Sequence, residues 1–586
     1  MTDVNQLITD QLDTWTAATE KKSSAGRGNG GGVSLHGIKK LRELILELAV
    51  RGKLVPNDTT DHSSEMLLDG FRHRRMQGIK AKRYKKQNLG EPLSASDQPF
   101  DVPASWSWSR MGEIGFVFNG NSVSARAKAE KFSAPDGLPF IATKNVGYGF
   151  EPLDYDVEAW IPVNEPKFKV ALANTPLICS EGGSAGKKCG LTDRDVCFGN
   201  KLFACEFYGE FVSEFLLAWY QCPSFFSQFS KKMTGIIGGI SLAKFLRLPV
   251  PVPPISEQQR IVAKLNELMG LCDVLQRQAE HSQKAHQTLV ETCLATLTNS
   301  QSPEDLTKNW TRIEAHFDTL FTTEESVQAL EAAIIELGVT GLLVPQIEAD
   351  EPATLLLKRV AKDIAAYSKL NKVRPVKPAK VVEQESQAER LPSGWVETRL
   401  SSLFRVVTDG DHQAPPRASD GVAFLTIGNI SSGQLNFEGC RRVPDDYYKG
   451  LPAYRTPGLG DILYTVVGAT YGRPVLVETE EQFCVQRHIA ILKPSVELDV
   501  DYLVWMLKSA WVYNQAREGI TGSAQPTLAL KPLRNFLVLL PPRAQQERIS
   551  AKIKQLHQLT ARLRERISVS TETQVSLANT ITSKIH

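Results

Sequence analysis

An internal repeat is the feature that most constrains how this chain can fold. The segment L-R-E-L-I-L-E-L-A-V-R-G-K-L-V-P (41–56) returns 289 residues later as L-E-A-A-I-I-E-L-G-V-T-G-L-L-V-P (330–345), with nine of sixteen positions identical. V-P-A-S-W (102–106) returns as L-P-S-G-W (391–395), and P-P-I-S-E-Q-Q-R-I-V-A-K-L (253–265) returns as P-P-R-A-Q-Q-E-R-I-S-A-K-I (541–553). Three echoes at nearly one spacing predict a duplicated unit of about 290 residues.

Both copies carry the same parts in the same order. A helical region is followed by a mixed domain, which Pro and Trp open and a Pro-Pro pair closes, and a long helix comes last. Residues 23–32 are predicted to be a flexible linker, and residues 371–390 a second loose stretch. The predicted parts are an N-terminal helix with the Gly-rich linker (1–33), a helical region (34–101), a first mixed domain (102–255), a central region with a long helix and a helical hairpin (256–390), a second mixed domain (391–543) and a C-terminal long helix (544–586).

Composition places the chain among ordinary globular proteins. Hydrophobic residues make up 42% and charged residues 23%, which excludes wholesale disorder. No apolar run is long enough for a transmembrane helix, and the acidic start lacks the features of a signal peptide, so we expect no membrane association and a cytoplasmic location. Nine cysteines without a C-x-x-C pair are predicted to be reduced and mostly buried. The net charge of +3 is too mild to indicate a nucleic-acid binder by itself, so any such charge must be local or supplied by partners.

The two long helices carry apolar residues at alternating spacings of four and three. This 3.5-residue period is typical of a coiled coil and predicts that the two helices pack on each other. As equivalent parts of two repeats related by a pseudo-two-fold axis, they are predicted to lie antiparallel. The alternative is that each helix packs on its own mixed domain. The seam residues are Ile261, Leu265, Leu268, Leu275 and Leu289 in the first helix and Ile549, Ile553, Leu556, Leu563 and Ile567 in the second.

Both mixed domains contain short apolar runs separated by Gly-rich turns, which predicts an α+β chain with two α/β domains. In each, a strand runs into a Gly-rich loop that ends in a cation: P-L-I-C-S-E-G-G-S-A-G-K (176–187) and D-I-L-Y-T-V-V-G-A-T-Y-G-R (461–473). The apolar frame of these loops is shared, whereas their polar side chains differ. Amides suit adenine edges and Arg or Lys suits guanine, so the two domains are predicted to read two different half-sites on a duplex. For any single loop residue, a solvated turn is the alternative.

The candidate DNA-binding residues come from the turns and loops of both mixed domains. In the first domain they are Lys144, Asn145, Ser184, Lys187, Lys188, Asn200, Lys201, Thr234 and Ser241. In the second they are His412, Arg417, Asn429, Thr470, Tyr471, Arg473, Gln486, Arg487, His488, Ser523 and Gln525.

Catalytic motifs are missing from the sequence. The run G-G-S-A-G-K-K (182–188) fails the phosphate-loop pattern, because Glu181 and Lys188 stand where Gly and Ser or Thr are needed. The G-x-G-x-x-G match at 26–31 follows no strand and is read as a false positive. The chain has no H-E-x-x-H zinc motif and no G-x-S-x-G elbow, and no metal site is predicted.

One stretch is strongly basic. Residues 71–86 hold eight Lys or Arg and no acid, and the counterpart at 369–380 holds five and no acid. Such runs lie along phosphates, bind an acidic partner face, or form a solvated connector, and the sequence leaves these readings open.

The architecture resembles the specificity subunit of type I restriction–modification systems. The closing segments P-P-I-S-E-Q-Q-R-I and P-P-R-A-Q-Q-E-R-I, each after a variable domain and before a long helix, carry the resemblance from about residue 35 onward. It departs from strict repetition at Gln545, where the first copy has Glu257, so contacts at that helix start are expected to differ.

The resemblance implies two target recognition domains that read a bipartite, asymmetric site on double-stranded DNA, with the helix pair as a ruler for the spacer. It implies two methyltransferase subunits that bind S-adenosylmethionine and modify adenine. It also implies two motor–nuclease subunits that use ATP and Mg, while this chain binds no cofactor and does no chemistry. Two other classes stay open: a two-headed structural adaptor, and a self-contained DNA-modifying enzyme.

Overall fold

The computed structural model describes residues 9–21, 33–56, 58, 63–163, 165–235, 238–373, 391–412, 415–522 and 525–583. The predicted linker 23–32 and most of the loose stretch 371–390 lie outside these residues. The chain divides into two compact units, residues 1–282 with 570–586 and residues 283–569. No described helix is both long and apolar enough to cross a membrane.

The first unit joins a helical region to a mixed domain. Its helices are α1 (Leu12–Ala17), α2 (His36–Val50), α3 (Ser64–Lys80), α4 (Met111–Ile114), α5 (Ala125–Lys131), α6 (Ser213–Gln221), α7 (Pro223–Lys232), α8 (Leu242–Phe245) and the first part of α9 (Ile255–Thr298). Its strands are β1 (Glu20–Lys21), β2 (Val33–Ser34), β3 (Ser107–Arg110), β4 (Gly115–Asn119), β5 (Leu138–Ile141), β6 (Trp160–Ile161), β7 (Val170–Ala171), β8 (Pro176–Cys179), β9 (Cys189–Leu191), β10 (Val196–Phe198), β11 (Leu202–Phe207) and β12 (Pro249–Val252).

Two four-stranded sheets form the centre of the first mixed domain. One has the order β4-β11-β8-β9 and is antiparallel throughout. The other has the order β6-β5-β10-β7, and its central strands β5 and β10 are parallel. Strands β3 and β12 pair at the two ends of the domain's sequence, so the chain enters and leaves the domain side by side.

The second unit repeats this plan. Its helices are the last part of α9, α10 (Pro303–Glu314), α11 (Phe317–Leu320), α12 (Glu324–Val339), α13 (Ala353–Leu370), α14 (Asp445–Gly450), α15 (Val500–Lys508), α16 (Ala510–Gly519), α17 (Leu530–Asn535) and the first part of α18 (Arg543–Ser583). Its strands are β13 (Val396–Arg399), β14 (Phe404–Asp409), β15 (Val422–Leu425), β16 (Arg441–Val443), β17 (Ile462–Thr465), β18 (Pro474–Leu476), β19 (Phe483–Val485), β20 (Ile489–Pro494), β21 (Ile520–Thr521), β22 (Thr527–Leu528) and β23 (Leu537–Leu540).

The sheets of the second unit follow the plan of the first, but the sheet with the parallel pair, β16-β15-β19, has three strands and not four. The order β14-β20-β17-β18 corresponds to β4-β11-β8-β9, and β13 pairs with β23 as β3 pairs with β12. The parallel pair β15–β19 corresponds to β5–β10. The predicted mixed helix-and-sheet class and its internal repeat are therefore confirmed.

The echoed residues of the repeat pack on one another. Gly52 ends α2 with φ +67°, and a Cβ there would lie 2.5 Å from the Pro103 ring and 3.1 Å from the Trp106 side chain. Gly341 ends α12 with φ +81° and would meet Pro392 at 2.7 Å and Trp395 at 3.0 Å. Both positions need glycine, because the backbone is left-handed and a side chain would collide with the proline and the tryptophan. The helical region therefore packs on the start of the mixed domain in the same way in both copies.

The Pro-Pro-x-x-x-Gln segments fasten each long helix to its own mixed domain. Gln258 is 0% exposed, accepts a bond from the Val212 amide at 2.9 Å, and donates to the Pro253 carbonyl at 2.9 Å. Gln546 makes the same two bonds with the Asp499 amide and the Pro541 carbonyl, at 3.0 and 2.9 Å. A buried amide that satisfies one donor and one acceptor of the backbone fixes the angle at which the helix leaves the domain.

The predicted difference between Glu257 and Gln545 is visible at the same helix start. Gln545 accepts a 3.0 Å bond from the Trp395 indole, which also donates to Gln346 at 3.1 Å. The first copy has the carboxylate of Glu257 at this place, 0% exposed.

The long helices begin on the predicted seam and then leave it. Ile261, Leu265 and Leu268 are fully buried, as are Ile549 and Ile553, and Leu275, Leu556, Leu563 and Ile567 pack against the cores of their units. Leu289 is 53% exposed, whereas its neighbour Val290 is 1% exposed. The prediction for Leu289 is therefore wrong, because the buried face follows the 3.6-residue period of a straight helix, which drifts by about 20° per heptad from a 3.5-residue seam.

Each unit contains the beginning of one long helix and the end of the other. In the first unit Ala578 is buried, and Val575 and Ile581 pack against the same core as Leu268. In the second unit, Val290, Leu294 and Leu297 of α9 join the core that holds Ile549. Both helices are therefore packed at their two ends, and their long, regular form is consistent with the predicted coiled coil.

Candidate nucleic-acid interface

Three loops of the first mixed domain meet through backbone hydrogen bonds. They are residues 180–188 after β8, residues 199–201 between β10 and β11, and the described residues 234–235 and 238–241 between α7 and α8. The Ser180 amide donates to the Lys201 carbonyl at 2.9 Å, and the Gly182 amide donates to Gly238 at 2.8 Å. The Ile240 amide donates back to Ser180 at 2.9 Å. The sequence-predicted loops are thus held as one surface.

The second mixed domain repeats these three bonds. The Val466 amide donates to the His488 carbonyl at 3.1 Å, the Gly468 amide to Pro526 at 2.9 Å, and the Leu528 amide to Val466 at 2.8 Å. Since the same carbonyls and amides pair in both domains, the prediction of one frame with different polar side chains is confirmed at the level of the backbone.

The polar side chains of the first surface are mostly exposed. Asn200, Lys201, Lys187 and Thr234 are exposed, and Ser184 is half-buried. Lys201 pairs with Glu181 at 3.4 Å. Mobile amide and ammonium groups on a fixed backbone are suited to base edges and phosphates.

Two of the lysine ammonium groups lie near aromatic rings. Lys187 lies 5.6 Å from the centre of the Phe226 ring, and Lys188 lies 5.0 Å from the centre of the Tyr148 ring. Lys188 also donates to the Thr143 carbonyl at 3.3 Å, so it is tied to the domain more closely than Lys187.

The second surface carries a guanidinium, an imidazole and an amide in one turn. Arg487 is exposed, and its Nε lies 3.3 Å from the His488 Nε2. Burial and the neighbouring Arg487 lower the pKa of His488, so its imidazole is neutral near pH 7. Gln486 is half-buried, and its backbone N–H donates to the Leu425 carbonyl at 3.0 Å.

A tyrosine pair supports the Gly-rich loop of the second surface. Tyr471 and Tyr513 stack with ring centres 5.6 Å apart and planes 6° apart. The Thr470 carbonyl accepts a 2.5 Å bond from Thr465, and Arg473 donates to the Ser431 carbonyl at 2.5 Å. Gln525 is exposed beside this loop, while Ser523 lies outside the described residues.

Several predicted residues are engaged within their own domain. Asn145 is 2% exposed, and its amide caps a turn by accepting from the Ala142 amide at 3.1 Å and donating to Asp156 at 3.3 Å. Asn429 caps the equivalent turn from the Thr426 amide at 2.9 Å. The Asn that both repeats share therefore holds a turn, and a base contact would require it to leave these partners.

Four other candidates occupy the edges of these surfaces. Ser241 caps α8 by accepting from the Lys244 amide at 3.4 Å. Lys144 is ion-paired with Glu158. His412 pairs with Asp409 at 3.0 Å, and Arg417 is exposed.

Sequence reasoning missed Tyr513 and Glu181. Tyr513 lies on α16 and not in a loop, and it is connected to the site by its stacking on Tyr471 and by a 3.5 Å bond from its hydroxyl to the Tyr471 hydroxyl. Glu181 was noted only as a mismatch to a phosphate loop, although it is bridged to Gly239 and paired with Lys201. The acidic side chain in an otherwise basic loop was the sequence feature that could have identified Glu181 as part of the site.

The described residues offer no group of three or more His, Cys, Asp or Glu side chains arranged to hold a metal ion. The nine cysteines are unpaired, and seven of them are buried. Burial raises the pKa of Cys179 to about 11 and that of Cys197 to about 11, so these thiols are protonated at neutral pH.

Each of the two mixed domains carries one loop surface on the same backbone plan and is joined to a long helix. Residues 103–280 match the family model described as type I restriction modification DNA specificity domain. The chain is similar to the type I restriction enzyme EcoAI specificity subunit of Escherichia coli, with 33% identity over 99% of both chains. It is also similar to the EcoEI specificity subunit of Escherichia coli, with 32% identity over 99% of both.

Among solved structures, the HsdS subunit from Thermoanaerobacter tengcongensis aligns with 84% of this chain and 98% of its own, at 18% identity and a TM-score of 0.37. The identity and coverage of the Escherichia coli relatives establish the family. The chain belongs to the specificity subunits of type I restriction–modification enzymes.

Proposed function

We propose that this chain selects the DNA site on which a type I restriction–modification complex acts. Each mixed domain is a target recognition domain that reads one half of a bipartite, asymmetric site on double-stranded DNA. The two long helices set the length of the unread spacer between the halves. The chain itself does no chemistry.

Partner subunits supply the reactions in this proposal. Two methyltransferase subunits bind S-adenosylmethionine and modify adenine, and two motor–nuclease subunits bring ATP, Mg and cleavage. A methyltransferase must take the target base out of the stack, so a subunit that only grips the flanking sequence leaves room for that step.

The shared backbone frame with different side chains supports the proposal most directly. The first surface presents Asn200 and Lys201 where the second presents Gln486, Arg487 and His488. A repeat conserved only for packing has no need of exposed amide and guanidinium groups at the tips of hydrogen-bonded loops. Different donors and acceptors on equal frames are what two unequal half-sites require.

Paired loop substitutions test this reading. Gln486→Ala with Arg487→Ala is expected to relax one half-site, by about 1–3 kcal/mol per lost bidentate base contact. Asn200→Ala with Lys201→Ala is expected to relax the other half-site. Competition binding with duplexes that vary one base at a time measures both, using the complex co-expressed with its methyltransferase subunits.

The control for these variants is Arg562→Ala, an exposed arginine on α18, which is expected to change neither half-site. A uniform loss over both half-sites with either pair would mean that the loops hold phosphates only. An unchanged specificity with both pairs would show that the bases are read elsewhere.

A further inference from the structure

The basic stretch 71–86 is fastened to the first recognition domain. Tyr84 is 9% exposed and packs on Phe116 and Tyr208, with ring centres 5.3 and 5.2 Å away. Gln87 donates a 2.6 Å bond to the carbonyl of Val117 on the edge strand β4. The stretch therefore follows the edge of the recognition domain's sheet.

A tight turn presents the cations of this stretch. The amides of Arg83 and Tyr84 bond to the Gly78 carbonyl at 2.9 and 3.2 Å, while Lys82 takes a left-handed backbone with φ 60°. A Cβ on Gly78 would lie 2.2 Å from the Tyr84 ring, so only glycine lets the chain fold back this closely. Lys85 and Lys86 follow at once and are exposed.

Lysines of the recognition domain continue the basic surface. Lys169, just before β7, donates to the Asn119 carbonyl at 2.7 Å and to its side-chain oxygen at 3.0 Å. Gln87 is bonded to Val117 and Lys169 to Asn119, two residues further along β4, so the end of the basic stretch and Lys169 lie against the same edge strand. Burial first, and then the positive charge of Lys85, lower the pKa of Lys169. Lys167 is exposed, and its carbonyl accepts a 2.9 Å bond from Asn121.

Hydrogen bonds connect these lysines to the recognition loops. The side chain of Asn121 accepts from the Lys169 amide at 2.8 Å, and the Asn121 carbonyl accepts from the Asn200 amide at 3.1 Å. Within the stretch, Arg83 and Tyr84 donate to Glu206 at 2.5 and 3.2 Å, and Arg72 pairs with Asp69 at 2.5 Å. The cations are thus continuous with the loop that carries Asn200 and Lys201.

In the corresponding region of the second unit, two arginines are ion-paired. Arg359 on α13 is paired with Glu351 and Glu497, and Arg405 is paired with Asp363 at 2.6 Å. Position 363 corresponds to Arg74 of the basic stretch. At the same spacing of 289 residues, the counterpart of Lys85 is Arg374, which lies outside the described residues.

We propose that Lys85, Lys167 and Lys169 bind the phosphates of the duplex beside the half-site read by the first recognition domain. The proposal rests on the proposed DNA-reading function and assigns this surface to nucleic-acid backbone and not to an acidic protein face. The basic surface adjoins the loop that carries Asn200, which favours DNA over an acidic protein. A duplex bound at that loop would pass its phosphates beside these lysines.

The salt dependence of binding tests this assignment. Lys85→Gln with Lys167→Gln is made in the full chain co-expressed with its methyltransferase subunits, while Lys169 is kept because it also holds Asn119. Each lost phosphate contact reduces the slope of log K against log salt by about 0.9, so a reduction of about 2 is expected. The affinity should fall by the same factor on cognate and mismatched duplexes.

The matched control is Lys284→Gln with Lys308→Gln, two exposed lysines of the second unit that remove the same net charge. This control should leave the slope unchanged. An unchanged slope in the Lys85 and Lys167 variant overturns the proposal, and so does loss of the methyltransferase subunits from the purified complex. If the unsubstituted complex shows no sequence preference, the proposed function fails, yet the slope on random duplex still tests this surface.

Discussion

At the residue scale, one buried glutamate occurs in both repeats with different support. Glu47 is 1% exposed, pairs with Arg51 at 3.0 Å and accepts from the Ser224 amide at the start of α7 at 2.6 Å. Arg51 also lies 4.2 Å from the centre of the Phe100 ring. In the second repeat Glu336 takes the place of Glu47, and Thr340 stands where the first repeat has Arg51.

Substitution of the two glutamates should therefore have unequal effects. Glu47→Gln leaves the Arg51 guanidinium buried beside a neutral group and is expected to cost about 3–5 kcal/mol of unfolding free energy. Glu336→Gln is expected to be close to neutral at pH 7, because its partners are the backbone amides of Ala510 and Trp511 at the start of α16. Chemical denaturation of the full chain measures both, and equal losses would show that Arg51 contributes nothing.

The same pair gives a pH dependence with a definite sign. Burial raises the pKa of Glu336 above its usual range, and the amides of Ala510 and Trp511 offset part of this. The folded state therefore binds more protons than the unfolded state between the two pKa values, so stability is lost as pH rises through the folded pKa. In Glu336→Gln this part of the stability–pH curve should be flat. The unfolding free energy of the unsubstituted chain minus that of Glu336→Gln should fall as pH rises through this window, and a difference that stays constant or rises would contradict the burial argument.

At the element scale, the phase of the long helices can be checked with neighbouring residues. Val290→Asp places a charge at a position that is 1% exposed and should cost several kcal/mol, about the penalty of an unpaired buried charge. Leu289→Asp, one residue earlier and 53% exposed, should stay within about 0.5 kcal/mol of the unsubstituted chain. Thermal unfolding of the two variants measures both losses. A larger loss for Leu289→Asp than for Val290→Asp would show that the buried face follows the 3.5-residue seam.

The proposed ruler belongs to the same scale. Adding seven residues to the middle of both α9 and α18 changes the helical phase by only about 20°, so folding should survive. The addition lengthens each helix by about 10 Å, or about three base pairs at roughly 3.4 Å each. Those base pairs also turn the duplex by about 100°, so affinity should fall while the half-site sequences stay the same. Selection from a random-spacer library measures the outcome, and recovery of the original spacer with full affinity would refute the ruler.

At the scale of the whole molecule, the repeat was the most informative part of the sequence. Its echoes fall at Gly52, Trp106 and Gln258, where a left-handed turn, a packed indole and a double backbone bond leave little freedom. The backbone frame of the loops was predictable for the same reason. The role of Tyr513 was not, because its stacking partner Tyr471 is distant in sequence. Asn145 caps a turn through the nearby Ala142 and Asp156, whereas its side-chain type alone suggested a base contact.

The phase error at Leu289 has a different origin. A pattern of four and three cannot distinguish a 3.5-residue period from a 3.6-residue period over a few turns, and the two diverge only after several heptads. The sequence therefore predicted the buried residues near Ile261 and Ile549 and failed near the far end of α9. There, Val290 is buried, whereas Leu289 is exposed.

The helical regions outside the recognition domains carry exposed apolar side chains that predict dependence on partner subunits. Met66 and Met76 on α3 are 66% and 55% exposed, and Leu355 and Leu370 on α13 are 45% and 82% exposed. Apolar surface of this kind marks association sites, so the lone chain is expected to scatter light as a polydisperse sample and to become monodisperse with co-expressed methyltransferase subunits.

Substitutions at these positions separate association from misfolding. Leu355→Gln with Leu370→Gln should lower the scattering of the lone chain and weaken its capture of the methyltransferase, because both side chains are already in water and their loss leaves the core intact. Val163→Gln with Leu459→Gln, at recognition-domain positions that are 63% and 62% exposed, should change neither property. Light scattering and size-exclusion chromatography of the lone and co-expressed chains give both readouts. If the unsubstituted lone chain is monodisperse, these side chains need no partner. The folded chain is then stable and soluble even with them exposed to water.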